Sequence, residues 1–292
     1  MKRKRRTMLY IPGNNPAMLL HGSVYGADSL LLDLEDAVAL NQKDAARNLI
    51  QQMLKNVDYG NTEVCVRVNH LDTPFGMEDL KAIVPLQPDA IRYPKTETVE
   101  ELQRLITLVE QIEDEHGLPH DQMTIHIMIE TALGVQNVFD IAKYSKRVDA
   151  ITIGGQDLTA DMNIKSSKNS SGIDLARKMI VMAAKANRID AIDTVWADID
   201  DEEGLKQETE FIRQIGFSGK AVINPRQIDP IHEIYTPSDE EIRKAYRVVK
   251  EFNKNDAKGI GVFAIDGKMV DAPVVTRARY VLELAGVDHA NI

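Results

Sequence analysis

The sequence predicts an α/β protein: a closed (β/α)8 TIM barrel with a C-terminal helix–hairpin–helix extension. Three observations carry this. Eight short apolar runs alternate with longer segments of helical period. They occupy about 220 residues, the usual span of such a barrel. No Gly-x-Gly-x-x-Gly follows the first run and no Walker A loop is present, which argues against a dinucleotide fold.

The runs, in order, are "RTMLYIP", "SLLLDLE", "EVCVRVN", "DAIRYPK", "TIHIMIE", "DAITIGG", "IDAIDTVW" and "GKAVINP". Between them, "KDAARNLIQQML", "VEELQRLITLVEQIEDEHG", "LARKMIVMAAKANR" and "EEGLKQETEFIRQIG" read as amphipathic helices. Thr98 and Glu101 form a capping box for the second of these. The barrel is expected over residues 1–235 and the extension over 236–292. In the extension, "TPSDEEIRKAYRVVKEF" is a helix with a capping box at Ser238 and Glu241. A hairpin turning at Asp266-Gly267 follows, and Pro273 opens a last helix.

The bulk numbers narrow the function. The 292 residues carry a net charge of −10, which argues against nucleic-acid binding as the main role. No run approaches the roughly 18 apolar residues of a membrane span, and the basic start "MKRKRR" leads to Pro12 and Gly13 too soon for a signal peptide. The expected location is the cytoplasm. The single cysteine, Cys65, reads as a small core residue.

Chemistry in such a barrel sits at the C-terminal strand ends. There the sequence places Glu35 and Asp36, Arg67 and Asn69, Lys95, Glu130, Gln156 and Asp157, Asp193 with Trp196 and Asp198, and Asn224 with Arg226. Carboxylates crowded into one mouth repel, so the cluster calls for cations. Arg67 and Lys95 supply some of that charge. Glu130 and Asp157, from adjacent strands, make a hard, oxygen-only site suited to Mg2+. A metal beside an arginine fork implies an anionic, oxygen-chelating substrate such as a 2-oxo or 2-hydroxy acid.

The blocks "MLYIPGNNPAML", "YGADSLLLDLEDAV", "VRVNHLDTPFG", "IRYPKTET", "IETALGVQN", "DTVWADIDDEEG", "GFSGKAVINPRQI" and "DGKMVDAPVV" resemble those of the citrate-lyase/malyl-CoA-lyase-like barrel family, and within it the citrate lyase beta chains. The resemblance covers nearly the whole chain. It implies Mg2+ on Glu130 and Asp157, with Arg67 and Glu130, assisted by Glu35 and Lys95, lining the site for the oxo-acid portion. It implies an acidic pair, Glu35 and Asp36, and an acidic residue of the C-terminal segment, Asp271, that in relatives closes over a neighbouring subunit's site. Asp36 and Asp271 are both candidates for the catalytic base. The implied reaction is cleavage of a citryl thioester on an acyl carrier protein to oxaloacetate and an acetyl thioester. The alternative is malyl-CoA or citramalyl-CoA cleavage. The implied partners are a carrier subunit and a transferase (alpha) subunit of one complex, and the chain itself is expected to form a homo-oligomer (trimer or hexamer). Gln156 departs from the acid that many relatives hold before the second metal ligand.

Overall fold

Eight parallel strands close on themselves in chain order, the first pairing with both the second and the eighth. They come from a computed structural model that describes residues 3–165, 171–257 and 261–288. The strands are β1 (Thr7–Pro12), β2 (Ser29–Asp33), β3 (Glu63–Arg67), β4 (Ala90–Tyr93), β5 (Thr124–Ile129), β6 (Val148–Ile153), β7 (Asp190–Asp193) and β8 (Gly219–Val222). Each lies inside an expected run, save that β6 begins one residue earlier, at Val148, and the expected TIM barrel is the observed fold. The strands lack polar alternation because both faces are covered, by the barrel interior and by the helices.

The helices are α1 (Pro16–Leu20), α2 (Lys43–Asn56), α3 (Gly76–Ile83), α4 (Val99–His116), α5 (Ala132–Lys143), α6 (Gly155–Asp161), α7 (Asp174–Ala186), α8 (Glu202–Ile215) and α9 (Ile228–Tyr235). Their ends follow local chemistry. The Thr98–Glu101 capping box starts α4, and Gly117 at φ 65° ends it.

The chain divides into two compact units, one over Arg5–Ile231 and another from His232 on with the chain start. The second unit contains α10 (Asp239–Asp256), strands β9 (Phe263–Ile265) and β10 (Lys268–Val270), and α11 (Ala272–Leu284). Asp266 and Gly267 both take positive φ, 48° and 75°, as a tight hairpin between twisted strands requires. Ala245, Val249, Ala278 and Leu282 form the seam between α10 and α11.

The barrel interior is filled in layers. At the N-terminal end Arg5 is ringed by Glu63, Asp149 and Asp190 at 2.7, 2.6 and 3.0 Å. Above this lies an apolar layer of Met8, Leu31, Cys65 and Ala90. Cys65 is the expected core residue: wholly buried, with burial pushing its thiol far up and away from reactivity.

One expectation fails at the seventh and eighth strands. Asp193 does not serve the mouth. It is enclosed with Arg177 of α7, Glu208 of α8 and Lys220 of β8 in a ring of ion pairs at 2.6–3.1 Å. The Trp196 indole donates to the Asp201 carbonyl, Asn224 caps a short turn, and Arg226 meets Asp200 at the surface. Polar residues at strand ends can face the helices as well as the mouth, and sequence order does not distinguish the two. Lys220→Met should destabilise the fold by about 3 kcal/mol in urea unfolding, because it strands Asp193 and Glu208 as buried carboxylates short of a cation.

Candidate active site

At the C-terminal end of the barrel, β2, β3, β4 and β5 deliver the expected residues to one place. Arg67 ends β3 and is nearly buried. Its fork closes on Asp33, the last residue of β2, with Nε at 2.7 Å and Nη2 at 2.6 Å. Nη1 reaches Glu35 at 2.9 Å and Asp36 at 3.9 Å. Burial alone would lower the pKa of this guanidinium, but the Asp33 carboxylate outweighs it and holds the charge firmly.

Asp33 was missing from the candidates read from the sequence. It is wholly buried, and it also accepts from the backbone N–H groups of Glu35 and Ala37 at 2.9 and 3.0 Å. The available signal was parity. Asp33 lies two residues beyond Leu31, which points into the barrel, so a carboxylate there must meet a cation from a neighbouring strand.

The loop bearing Glu35 and Asp36 is pinned from below. The Lys43 ammonium donates to the carbonyls of Leu34 and Glu35 at 2.8 and 2.7 Å and to Asn69 Oδ1 at 2.8 Å. Glu35 is buried, and burial, opposed chiefly by Arg67, raises its pKa. The Lys95 ammonium lies 3.3 Å from Glu35. Asp36 stands at the rim with an exposed side chain.

Glu130 follows β5 directly and is 1% exposed. Its Oε1 accepts the backbone N–H of Lys95 at 2.6 Å. That N–H is aimed by an unusual backbone, since Lys95 adopts φ 47°. The other oxygen, Oε2, is buried with no partner. Burial lifts the Glu130 pKa from 4.5 to about 7, and the charges of Asp157 and Glu35 push the same way.

Asp157 is not on a strand. β6 ends at Ile153, and Asp157 sits in the first turn of α6, half-buried. Two glycines allow this close approach. A Cβ at Gly154 would fall onto the Glu130 carboxylate, and one at Gly155 would strike Thr194, whose hydroxyl accepts the Gly155 N–H at 3.0 Å. Gln156 is exposed and lines a cavity with Thr194 and Trp196.

These donors fit a hard divalent cation. They are all oxygen, and one is a buried carboxylate oxygen without a partner, on a carboxylate whose pKa burial raises. Asp271 belongs to the second unit and is the N-cap of α11, where it accepts the Val274 N–H at 3.2 Å.

Residues 6–225 match the HpcH/HpaI aldolase/citrate lyase family. The chain belongs to that family. A citrate lyase subunit beta of Leuconostoc mesenteroides subsp. cremoris is 44% identical over 288 residues, covering 99% of this chain and 95% of the relative. A mitochondrial citramalyl-CoA lyase of Homo sapiens is 34% identical, covering 96% of this chain and 85% of the relative. Among solved structures, the citrate lyase beta subunit of Mycobacterium tuberculosis complexed with oxaloacetate and magnesium superposes with a TM-score of 0.68 at 28% identity. It covers 80% of this chain and 98% of that one.

Protons and metal should compete for Glu130. Because its folded-state pKa lies above the ordinary value, the contribution of Glu130 to the stability of the metal-free protein should be lost as pH rises from about 4.5 through about 7. Added Mg2+ should reverse that loss. Calorimetric titration from pH 5.5 to 8.5 should show affinity weakening about tenfold per unit below pH 7 and levelling off above it.

Proposed function

We propose that this chain is the beta subunit of a citrate lyase. It cleaves a citryl thioester, carried on an acyl carrier protein, into oxaloacetate and an acetyl thioester. The supporting observation is the buried Glu130 carboxylate with one open oxygen, set with Asp157 near the Arg67 fork. The chain is also more similar to a citrate lyase subunit beta than to the citramalyl-CoA lyase.

Glu130 and Asp157 would hold Mg2+. When bound, the ion supplies a Lewis acid for the substrate's tertiary hydroxyl and its adjacent carboxylate. Arg67 orients the oxo-acid portion. Its fork is already rigid because Asp33 holds two of its nitrogens. Lys95, with its ammonium partly exposed, adds positive charge to the same wall.

A carboxylate base takes the proton from the tertiary hydroxyl. The oxygen's electron pair becomes the keto C=O of oxaloacetate as the C–C bond breaks. The bonding electrons pass to the thioester α-carbon as an enolate, which then takes a proton to become the acetyl thioester. The base is Asp36 or Asp271. Asp36 stands at the rim beside Arg67, and Asp271, the N-cap of α11, would be supplied by a neighbouring subunit.

Such a subunit would work in a multi-subunit complex with a carrier and a transferase subunit, and copies of this chain would associate as a trimer or hexamer. Among the described residues, no helix is long and apolar enough to cross a membrane.

Two measurements test this reading. Cleavage of a citryl carrier protein should stop in EDTA and return with Mg2+, and full activity in EDTA would exclude the metal-dependent reaction. Asp36→Asn and Asp271→Asn should separate the candidate bases. The true base loses about 10²–10⁴-fold in kcat, and Asn retains the α11 cap so that folding is preserved.

A further inference from the structure

Arg92, in β4, is wholly buried, yet no carboxylate among the described residues pairs with it. Its Nη1 donates to the Tyr10 hydroxyl at 3.3 Å, its Nη2 donates to Met8 Sδ, and its Nε has no partner. Arg5, Arg67, Arg177 and Lys220 each meet carboxylates, and the buried Lys43 ammonium has three oxygen acceptors. A thioether is a weak acceptor, so Arg92 is a buried charge left uncompensated by its own protein.

Arg92 is the register partner of Arg67 on the neighbouring strand. Tyr10 links the two. Its ring carries the Arg67 guanidinium at 5.0 Å and that of Arg92 at 6.0 Å. Unlike Arg92, Tyr10 is only half-buried, with the apolar layer of Met8 and Leu31 on one side and the Arg67 guanidinium on its ring. Its hydroxyl and Arg67 Nη1 both aim at Met128 Sδ, each at 3.9 Å. Two strong donors thus converge on one poor acceptor. The charges tell the same story: Asp33 and Glu35 balance Arg67, while nothing balances Arg92.

We propose that Tyr10, held by Arg92, binds the second carboxylate of the oxo-acid portion, the one that oxaloacetate has and pyruvate lacks. The pair then selects a dicarboxylic over a monocarboxylic oxo acid. This rests on the citryl-thioester reading and deepens it. Tyr10 is the contact residue. Because Arg92 occupies a lone pair of its oxygen, the phenolic proton is left for an anionic acceptor, and the Arg92 charge supports that bond from behind. Arg92 is a positioning residue.

The test is calorimetric titration of oxaloacetate and of pyruvate into the Mg2+-loaded protein. The wild type should prefer oxaloacetate. Tyr10→Phe, which keeps the ring and loses only the hydroxyl, should weaken oxaloacetate about tenfold and pyruvate by less than about threefold. Arg92→Met should weaken oxaloacetate at least as much, and Arg92→Lys should recover part of the loss. The assignment is overturned if both acids weaken equally or if neither changes. If Arg92→Met does not fold, Tyr10→Phe decides alone. A wild-type protein that binds neither acid refutes the functional reading and this assignment with it. Tight oxaloacetate binding that ignores all three variants refutes only the assignment.

Discussion

The ion pair between Asp33 and Arg67 is the interaction on which the mouth of this barrel depends. It is bidentate, buried, and joins the ends of adjacent strands. Asp33 also accepts two backbone N–H groups of the loop that follows. One carboxylate therefore fixes both the arginine fork and the loop carrying Glu35 and Asp36. Lys43 holds the same loop from beneath through two of its carbonyls. The result is an arginine whose remaining nitrogen is presented rather than mobile. Pre-organisation of that kind removes an ordering cost at the moment of binding.

The buried charges of this protein fall into two groups with different physical consequences. In the ring around Asp193 and in the layer around Arg5, each cation faces carboxylates. Such groups tie strands and helices together, because removing one member leaves its partner stranded in low dielectric. Further along the barrel interior, three buried groups are left with an open atom. Glu130 has an open carboxylate oxygen, Arg92 an open nitrogen, and Thr152 of β6 a hydroxyl with no partner. Unmet polar groups are costly in a folded interior. On Glu130 the open oxygen belongs to a carboxylate beside Asp157, where a cation would complete it.

Much of this was legible in the residues. Eight apolar runs marked the eight strands, and Thr98 with Glu101 and Asp266 with Gly267 marked a helix start and a turn through purely local chemistry. Glu130 stood out because a carboxylate ending an apolar run needs a reason, and its burial beside Arg67, Lys95 and Asp157 supplies one. Asp33 and Tyr10 were passed over. Inside an apolar run, one polar residue looks like any other until its neighbours on adjacent strands are known.

What the sequence determined by itself is therefore what depends on neighbours along the chain: periodicity, caps, turns, and the kinds of donor at each strand end. What only the tertiary structure decided is which side of the barrel wall each side chain takes and what it meets there. Asp193 and Glu130 follow similar apolar runs. The first is enclosed by Arg177 and Lys220, and the second is left with an open oxygen. The difference lies in cations supplied by α7 and β8 to one and withheld from the other. Those pairings join residues far apart in sequence, so no local pattern encodes them.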